Sequence, residues 1–184
     1  MKFQLFAPRA VNSTFDALYG AIVAQARLPS FYLTYGVPDT VEGRFDMIVL
    51  HLILLFHRLT REPEQSRGLG QGVFDLFCRD MDHNLREMGV GDLSVPKEMR
   101  RLAEAFYGRA GAYEQALGSS DDALLAAALA KNVLTEIGSP SSKALRLAAY
   151  TREAARRLDR VDTNSFARGA LSFPDPEAVP PAAA

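Results

Sequence analysis

The chain is most apolar between Met47 and Phe56, where His51 alone interrupts a hydrophobic run. A helix drawn through this region carries apolar residues on nearly every side: Val41, Phe45, Ile48, Val49, Leu50, Leu52, Leu54, Leu55, Phe56 and Leu59. A helix that is apolar all round is normally buried at the centre of a bundle. The run is also too short to cross a bilayer, which takes about 20 apolar residues. We therefore predict a central core helix here and no membrane span.

Helix start and stop signals recur along the chain, and we find no convincing alternating pattern of a strand. Asp39 with Glu42 three residues later fits a capping box, and Ser94 with Pro96 in the first turn fits another helix start. These signals predict an all-α fold, a single-domain bundle of about six helices within residues 1–172. The Pro/Ala-rich residues 173–184 are predicted to be a disordered tail. The six helices cover about residues 12–28, 39–62, 64–88, 94–118, 119–138 and 142–161.

The third and fourth predicted helices each carry an apolar stripe with spacings of three and four residues, which is typical of amphipathic helices. The stripes comprise Phe74, Phe77, Met81, Leu85 and Met88 on the third helix, and Met99, Leu102, Phe106, Ala110, Tyr113 and Leu117 on the fourth. Both helices are therefore expected to pack one face against the central helix.

Charge and cysteine content narrow the possible partners and compartment. The formal net charge of the 184 residues is −1, so bulk attraction to nucleic acid is not expected. Cys78 is the only cysteine, which excludes an internal disulfide and indicates a reducing compartment. The first residues, Met1 to Phe6, lack the features of a secretory signal. These observations predict a reducing compartment and no secretory signal.

Four side chains suggest an alternative reading as a helical-bundle metal-dependent hydrolase. They are His51, His57, Asp80 and Asp82. The two histidines are about 120° apart around an ideal helix, and the two aspartates about 200° apart, so neither pair shares a face. The chain has no Cys-x-x-Cys-His haem-attachment motif either. We therefore expect no catalysis, no metal and no cofactor of its own, and the sequence leaves open whether the protein contacts haem.

Gly68, Gly70 and Gly72 suggest a phosphate-binding loop. Val73 stands where the dinucleotide motif needs a glycine, no strand precedes the loop, and the Lys-Ser/Thr pair of the nucleotide-binding P-loop is absent. The three glycines are therefore interpreted as a weak first turn of the third helix.

The sixth predicted helix carries a basic arc opposite a narrow apolar strip. The arc comprises Lys143, Arg146, Arg152, Arg156, Arg157 and Arg160. Such a face is usually solvated, but it is also compatible with anionic lipid head groups or ribosomal RNA. An adaptor that contacts the membrane surface or the ribosome through this helix is therefore a second alternative.

Several linked motifs carry a much more specific signal, and they occur in one order and register. Together they resemble the ubiquinol–cytochrome c chaperone family, over about residues 12–137. The motifs are Phe31 to Asp46, Leu50-His51-Leu52, Phe74-Asp75, Arg79 to Asp82, Leu85 to Asp92, Val95 to Met99, and Ala105 to Arg109.

The resemblance implies an all-α assembly chaperone for ubiquinol–cytochrome c reductase, respiratory complex III, whose client is newly made cytochrome b. It also implies a small partner subunit and a position near the ribosome for mitochondrial members, and leaves both open for a bacterial one. A bacterial member is expected in the cytoplasm, peripherally at the inner face of the inner membrane. No DNA contact is expected.

A groove that is apolar inside and charged at its rim would suit such a client. The predicted apolar contacts are Phe45, Met81, Met88, Phe106 and Tyr107. The predicted polar contacts are Asp46, His51, Arg58, Asp80, Asp82, Arg86, Lys97 and Arg109. Some of these residues could instead be core residues or internal ion pairs, and Arg58 and Asp80 could pair with each other.

Overall fold

The structure, a computed structural model, describes residues 9–62 and 64–180, with side chains described for 13–62 and 68–180. Within those residues the chain forms helices joined by turns and loops, which confirms the predicted all-α class. The helices are α1 (Arg9–Ala26), α2 (Pro29–Leu33), α3 (Val41–Leu59), α4 (Glu64–Glu87), α5 (Val95–Leu117), α6 (Asp122–Asn132), α7 (Ser142–Asp159) and α8 (Thr163–Ala167).

Six of these helices correspond to the predicted ones, and the short α2 and α8 were not predicted. The helix predicted over residues 119–138 ends earlier, at Asn132. A five-residue helix is too short to show an amphipathic period, so the sequence pattern carries no signal for α2 or α8.

α3 is the central helix, as its all-round apolar sequence predicts. Every residue from Asp46 to Leu55 is buried, and α3 packs against α1, α4, α5 and α7. None of the helices in the described part of the chain is long and apolar enough to cross a membrane. The hydrophobic run is thus accounted for by core burial.

The start of α3 differs by one residue from the predicted cap. Thr40 is the N-cap, and its hydroxyl oxygen accepts a hydrogen bond from the amide of Gly43 at 3.1 Å. Asp39 instead forms an ion pair with Arg44 at 2.8 Å. The predicted capping box with Asp39 as its first residue is therefore wrong. Thr40 is the cap instead, because a threonine hydroxyl can also accept from a free amide of the first turn.

Contacts along α3 fix the directions of its neighbours. α7 runs parallel to α3, because His51 meets Tyr150 and, further along, Arg58 meets Leu158. α4 runs antiparallel to it, because Phe45 faces Phe77 whereas the later residue Phe56 faces the earlier residue Phe74. α5 runs parallel to α3, as the Asp46–Arg109 and His57–Glu114 contacts show. Helices α3, α5 and α7 therefore begin at the same end of the bundle, where α4 ends.

Residues 173–180 pack against the bundle, so the prediction of a disordered tail is wrong for them. Phe173 is buried, and its ring centroid lies 4.8 Å from that of His51. The hydroxyl of Tyr35 donates to the carbonyl oxygen of Pro176 at 2.6 Å, and Gln25 donates to that of Pro174 at 2.9 Å. The prediction failed because it used the overall proline and alanine content, whereas a few individual residues anchor this segment. Residues 1–8 and 181–184, including the N-terminal stretch considered above, lie outside the described residues.

Replacing Tyr35 with phenylalanine tests this anchoring. The variant loses one buried hydrogen bond and leaves the carbonyl of Pro176 without its donor, so we expect a loss of about 1 kcal/mol in the free energy of unfolding. Urea denaturation measures the loss. Proteolysis of residues 173–180 should accelerate in parallel, and an unchanged cleavage rate would show that the Tyr35 hydroxyl does not hold the segment.

Candidate functional site

An open hollow of about 390 Å³ lies between α3, α4 and α5. Its lining is mostly apolar, with polar groups from one threonine and one glutamine. The lining residues are Phe56, Leu59 and Thr60 from α3, Gly70, Gln71 and Phe74 from α4, and Phe106 and Tyr107 from α5.

Aromatic rings form the inner wall of the hollow. The ring centroids of Phe74 and Phe106 are 5.2 Å apart, and Phe56 lies 6.2 Å from Phe106. Phe106 is buried, whereas the adjacent Tyr107 is 65 % exposed and meets the Phe106 ring edge-on at 5.5 Å. The two predicted residues of α5 thus occupy different places, one in the wall and one at the mouth.

Gly70 keeps the hollow open on the α4 side. A Cβ atom there would lie 3.7 Å from side-chain atoms of Leu59 and Phe56, which is an ordinary contact distance. Gly72 has a different role, because a Cβ there would overlap the ring of Phe15 where α1 crosses α4. These two glycines therefore serve packing, and the phosphate-loop interpretation finds no support from them.

A buried ion pair joins α3 to α5 beside Phe45. Arg109 Nη2 lies 2.7 Å from Asp46 Oδ1, and the guanidinium lies 5.9 Å from the Phe45 ring centroid. Asp46 is only 4 % exposed. Burial raises the pKa of Asp46 to about 6, although Arg109 acts in the opposite direction. The ion pair is internal to the bundle, although Asp46 Oδ1 and Arg109 Nε make no hydrogen bond of good geometry. The buried Asp46 therefore has an internal counter-ion in place of the predicted partner contact.

The C-terminal part of α4 divides into a buried and an exposed face. Met81 is buried in the core, whereas Met88 is 54 % exposed. Arg86 pairs with Asp82 at 2.8 Å and also with Asp92. Exposed pairs of this kind are screened by solvent and stabilise a protein little, so they leave Arg86 and Asp82 available to a partner.

His51 has no exposed surface and sits in a directional chain of hydrogen bonds. Its Nδ1 donates to the carbonyl of Met47 at 2.7 Å, so Nε2 accepts from the hydroxyl of Tyr150 at 2.7 Å. Tyr150 in turn accepts from Gln25 at 3.0 Å. Burial lowers the pKa of His51 to about 4. This residue cannot reach a partner in this conformation, which corrects its place among the predicted contacts.

Arg58 is also an internal residue. It is 8 % exposed and donates to the carbonyl oxygens of Leu158 and Val161 at 3.0 and 3.1 Å, while pairing with Glu62. These bonds tie the end of α3 to the end of α7. Arg58 therefore stabilises the bundle, and its predicted contact with a partner is corrected.

Asp80 does not pair with Arg58. Its carboxylate accepts a hydrogen bond from the hydroxyl of Tyr19 at 2.7 Å, which joins α4 to α1. Lys97, in contrast, is exposed in the first turn of α5. Of the thirteen predicted contact residues, only Tyr107 and Phe106 line the hollow.

The four side chains of the hydrolase alternative are dispersed. His51 bonds Met47 and Tyr150, Asp80 bonds Tyr19, and His57 Nδ1 lies 2.6 Å from Glu114. Over the described ranges, no group of three or more His, Cys, Asp or Glu side chains could hold a metal ion. Within the described residues, the structure therefore does not bring these side chains together into the metal site that a hydrolase would need.

Much of the basic arc on α7 is used within the protein. Arg152 pairs with Asp122 at 2.5 Å, and Arg146 stacks over the ring of Tyr35 at 4.8 Å. The exposed members of the arc are Lys143 at the start of α7 and Arg156, Arg157 and Arg160 at its end.

Most of the hollow was not predicted from the sequence. The sequence predicts Phe56 and Phe74 only as apolar core positions, and it gives no signal for Thr60 and Gln71. Phe56 and Phe74 are only partly buried, although both belong to the apolar patterns of their helices. A ring on the margin of a stripe can line a cleft between helices, but its exposure depends on the packing angle.

These observations define a class of all-helical bundle with a central apolar helix and an aromatic hollow between three helices. The sequence matches the model of the ubiquinol-cytochrome C chaperone family over residues 33–173. The chain therefore belongs to the ubiquinol–cytochrome c chaperone family.

Individual relatives agree with this assignment. The chain is 26 % identical to ubiquinol-cytochrome-c reductase complex assembly factor 1 of Xenopus laevis over 145 residues, 79 % of this chain and 72 % of that protein. The human protein of that name is 24 % identical over 145 residues, 79 % of this chain but only 48 % of its own length. The chain thus spans about half of the human protein.

A solved structure shares the whole architecture. The crystal structure of the Cbp3 homolog from Brucella abortus superposes with a TM-score of 0.85 and is 38 % identical, covering 94 % of both chains. At that identity and coverage the likeness extends to both fold and family.

Proposed function

We propose that this protein is an assembly chaperone, not an enzyme, that binds newly made cytochrome b and promotes the biogenesis of ubiquinol–cytochrome c reductase. Membership of the chaperone family supports the process, and the names of the relatives support the complex. The observation that carries the proposal is the open aromatic hollow between α3, α4 and α5.

The hollow suits a short apolar portion of an immature membrane subunit. Phe56, Phe74 and Phe106 offer ring faces and edges, and Tyr107 adds an apolar ring with a polar tip at the mouth. A volume of about 390 Å³ is enough for a few large apolar side chains, not for a whole helix. The protein would therefore cover one exposed turn of its client at a time. We further propose that it works in the cytoplasm at the inner face of the membrane.

Deleting the gene tests the process. Cells without the protein are expected to lose mature complex III and its cytochrome b, while other respiratory complexes remain. Normal complex III in the deletion strain would reject the proposed function. Re-expression of the wild-type chain is the control for indirect effects.

Site-specific photocrosslinking in cells tests the hollow itself. A photoreactive residue in place of Tyr107, which is 65 % exposed at the mouth, is expected to capture cytochrome b. Leu124 on α6 is 48 % exposed and lies outside the hollow, so the same probe there is the matched control. Equal capture from both positions would show that the hollow is not the client site.

Replacing Gly70 with leucine is expected to fill the hollow and abolish client capture. The folded state should survive, because the Cβ atom meets only ordinary contacts and leucine favours helix more than glycine does by roughly 1 kcal/mol. Gly20→Leu, at an exposed position of α1 with nothing within 4 Å, is the control. Co-purification with cytochrome b is the measurement. A Gly70→Leu protein that is folded and still binds the client would contradict the assignment.

A further inference from the structure

Residues 173–179, which we call the strap, lie against a surface of aromatic side chains from α2 and the loop after it, α3 and α7. Ring centroids within this surface are 4.9 Å apart for Phe31 and Tyr150 and 6.1 Å apart for Tyr35 and Tyr150. The Phe173 ring of the strap meets one of these rings edge-on at 4.8 Å. We call the surface under the strap the strap groove, and its aromatic residues are Phe31, Tyr35, His51 and Tyr150.

Two side chains beside the strap groove donate hydrogen bonds to the backbone of the strap. Gln25 donates to the carbonyl oxygen of Pro174 at 2.9 Å, and the Tyr35 hydroxyl donates to that of Pro176 at 2.6 Å. The donors therefore bind the backbone of the strap at two points and do not select its side chains there. Aromatic-lined grooves of this kind are a recurring way to recognise extended, proline-rich segments.

Prolines keep the first half of the strap extended before it docks. The rings of Pro174 and Pro176 fix their own φ angles and restrict the preceding residues to extended conformations. Such a segment loses little conformational freedom on docking, which favours binding. The buried residues of the strap are Phe173, Pro174, Pro176 and Val179.

The strap is held as a docked peptide would be, not as a part of the helical framework. Across the described part of the chain, no backbone–backbone hydrogen bond joins residues 173–179 to a helix. The amides of Glu177 and Ala178 instead donate to the side chain and the carbonyl oxygen of Asp175, which closes a turn within the strap. A segment without backbone bonds to the core can open locally, at a lower free energy than global unfolding.

One donor beside the strap groove has no acceptor. The guanidinium of Arg146 stacks over the Tyr35 ring at 4.8 Å, and its buried Nε makes no hydrogen bond to any described residue. A buried donor without an acceptor lowers the stability of a folded protein. A ligand that supplies an acceptor at this point would therefore bind the groove better than the strap does.

We propose that the strap groove binds an extended, proline-containing segment of a partner protein, which displaces the strap. The contacts of the strap specify the chemistry of this segment: an aromatic anchor, and prolines one and three residues later whose carbonyl oxygens accept from Gln25 and Tyr35. The strap competes at a high effective concentration because it belongs to the same chain. It therefore sets the affinity that a partner segment must exceed.

The strap groove is separate from the client hollow. His51 of the groove contacts Tyr150 of α7, whereas Phe56 of the hollow contacts Phe74 of α4 and Phe106 of α5. The two sites thus use different sides of α3. The proposal does not depend on the identity of the client that the hollow binds.

Thiol labelling tests whether the strap opens while the bundle stays folded. Val179→Cys, in a Cys78→Ser chain, places the thiol at a buried position of the strap, and Val133→Cys at the end of α6 is the matched buried control. Val179→Cys is expected to react at least about a hundredfold faster, because local opening costs less free energy than global unfolding. Equal rates would show that the strap opens only with the whole bundle, and would overturn the proposal.

A synthetic peptide of residues 171–180 tests binding from a separate molecule. It is expected to accelerate labelling of the full-length Val179→Cys protein, because it occupies the groove whenever the strap has opened. The acceleration should reach about tenfold at a peptide concentration ten times the dissociation constant for the open groove. The same peptide with Phe173→Ala is the control and is expected to have no effect. A strap that opens but is not labelled faster with the native peptide would refute a binding site in the groove.

Light scattering over a range of protein concentrations tests a second copy as the occupant. We expect a monomer at every concentration, since the strap of each molecule fills its own groove. A concentration-dependent dimer that Phe173→Ala dissociates would show that two copies exchange straps. That result would assign the groove to a second copy and overturn the proposed partner segment.

Discussion

Between pH 6.5 and 4, the Asp46→Asn and His51→Gln variants are expected to diverge from the wild type in opposite directions. The pKa of His51 is lowered to about 4 from an ordinary value of 6.5, and the pKa of Asp46 is raised to about 6 from 3.8. Both side chains are buried, so each shift is a difference in proton binding between the folded and unfolded states.

Between about pH 6.5 and 4, His51 binds a proton in the unfolded chain but stays neutral in the folded chain. The stability of the neutral folded state is therefore complete above about pH 6.5 and is lost as the pH falls toward 4. The loss amounts to about 3 kcal/mol, at about 1.4 kcal/mol for each pKa unit. His51→Gln removes this loss, so its free energy of unfolding is expected to gain on the wild type by that amount as the solution is acidified.

For Asp46, the folded chain binds the proton more tightly than the unfolded chain. The burial cost of the carboxylate is fully present above about pH 6 and is relieved as the pH falls toward 3.8, again by about 3 kcal/mol. Asp46→Asn cannot gain this stability, so its free energy of unfolding is expected to decrease relative to that of the wild type as the pH falls. The two effects largely offset each other in the wild-type protein.

Urea unfolding at a series of pH values measures these divergences. The quantity to compare is the difference between variant and wild type at each pH, since other ionisable groups contribute equally to both. His83→Gln, at an exposed position of α4, is the control for loss of an imidazole as such. Parallel curves for His51→Gln and wild type would show that His51 is not held neutral by the core.

The long helices could be predicted from the sequence because their signals are local. An apolar stripe, a capping residue and a terminating glycine each act within a few residues, and six helices followed from them. The all-round apolar character of α3 also fixed its central position, since no other location would bury both Met47 and Leu54.

The hollow and the inner hydrogen-bond chains depend on which helices meet, and no local signal reports that. Asp46 and Arg109 are far apart in sequence and pair only because α5 runs parallel to α3. The sequence predicts a contact with a partner for both residues, whereas the structure pairs them with each other. A charged residue on an apolar helix has the same pattern whether it faces a client or an internal counter-ion.

The anchored C-terminal segment was missed for a related reason. Its composition is typical of disorder, but Phe173 and Val179 bury their side chains in a surface assembled by other helices. Composition describes what a segment can bury by itself, and here the receiving surface is supplied by residues such as His51 and Tyr35.

Replacing Gly43 with alanine is expected to cost about 2–4 kcal/mol in the free energy of unfolding, although one methyl group is added to a helix. A Cβ at Gly43 would overlap the carbonyl oxygen of Pro38 and lie 3.1 Å from its carbonyl carbon. Both are backbone atoms, so relief requires moving the loop that enters α3, which also displaces the Thr40 cap that bonds Gly43.

Gly20→Ala is the matched control, because Gly20 is exposed within α1 and a Cβ there meets nothing within 4 Å. It is expected to stabilise the protein by up to about 1 kcal/mol, since alanine favours helix over glycine. Urea denaturation of both variants separates the two effects of an added methyl group. If Gly43→Ala were as stable as Gly20→Ala, the close approach of Pro38 to the first turn of α3 would be refuted, and glycine at this position would have to be explained by something other than packing.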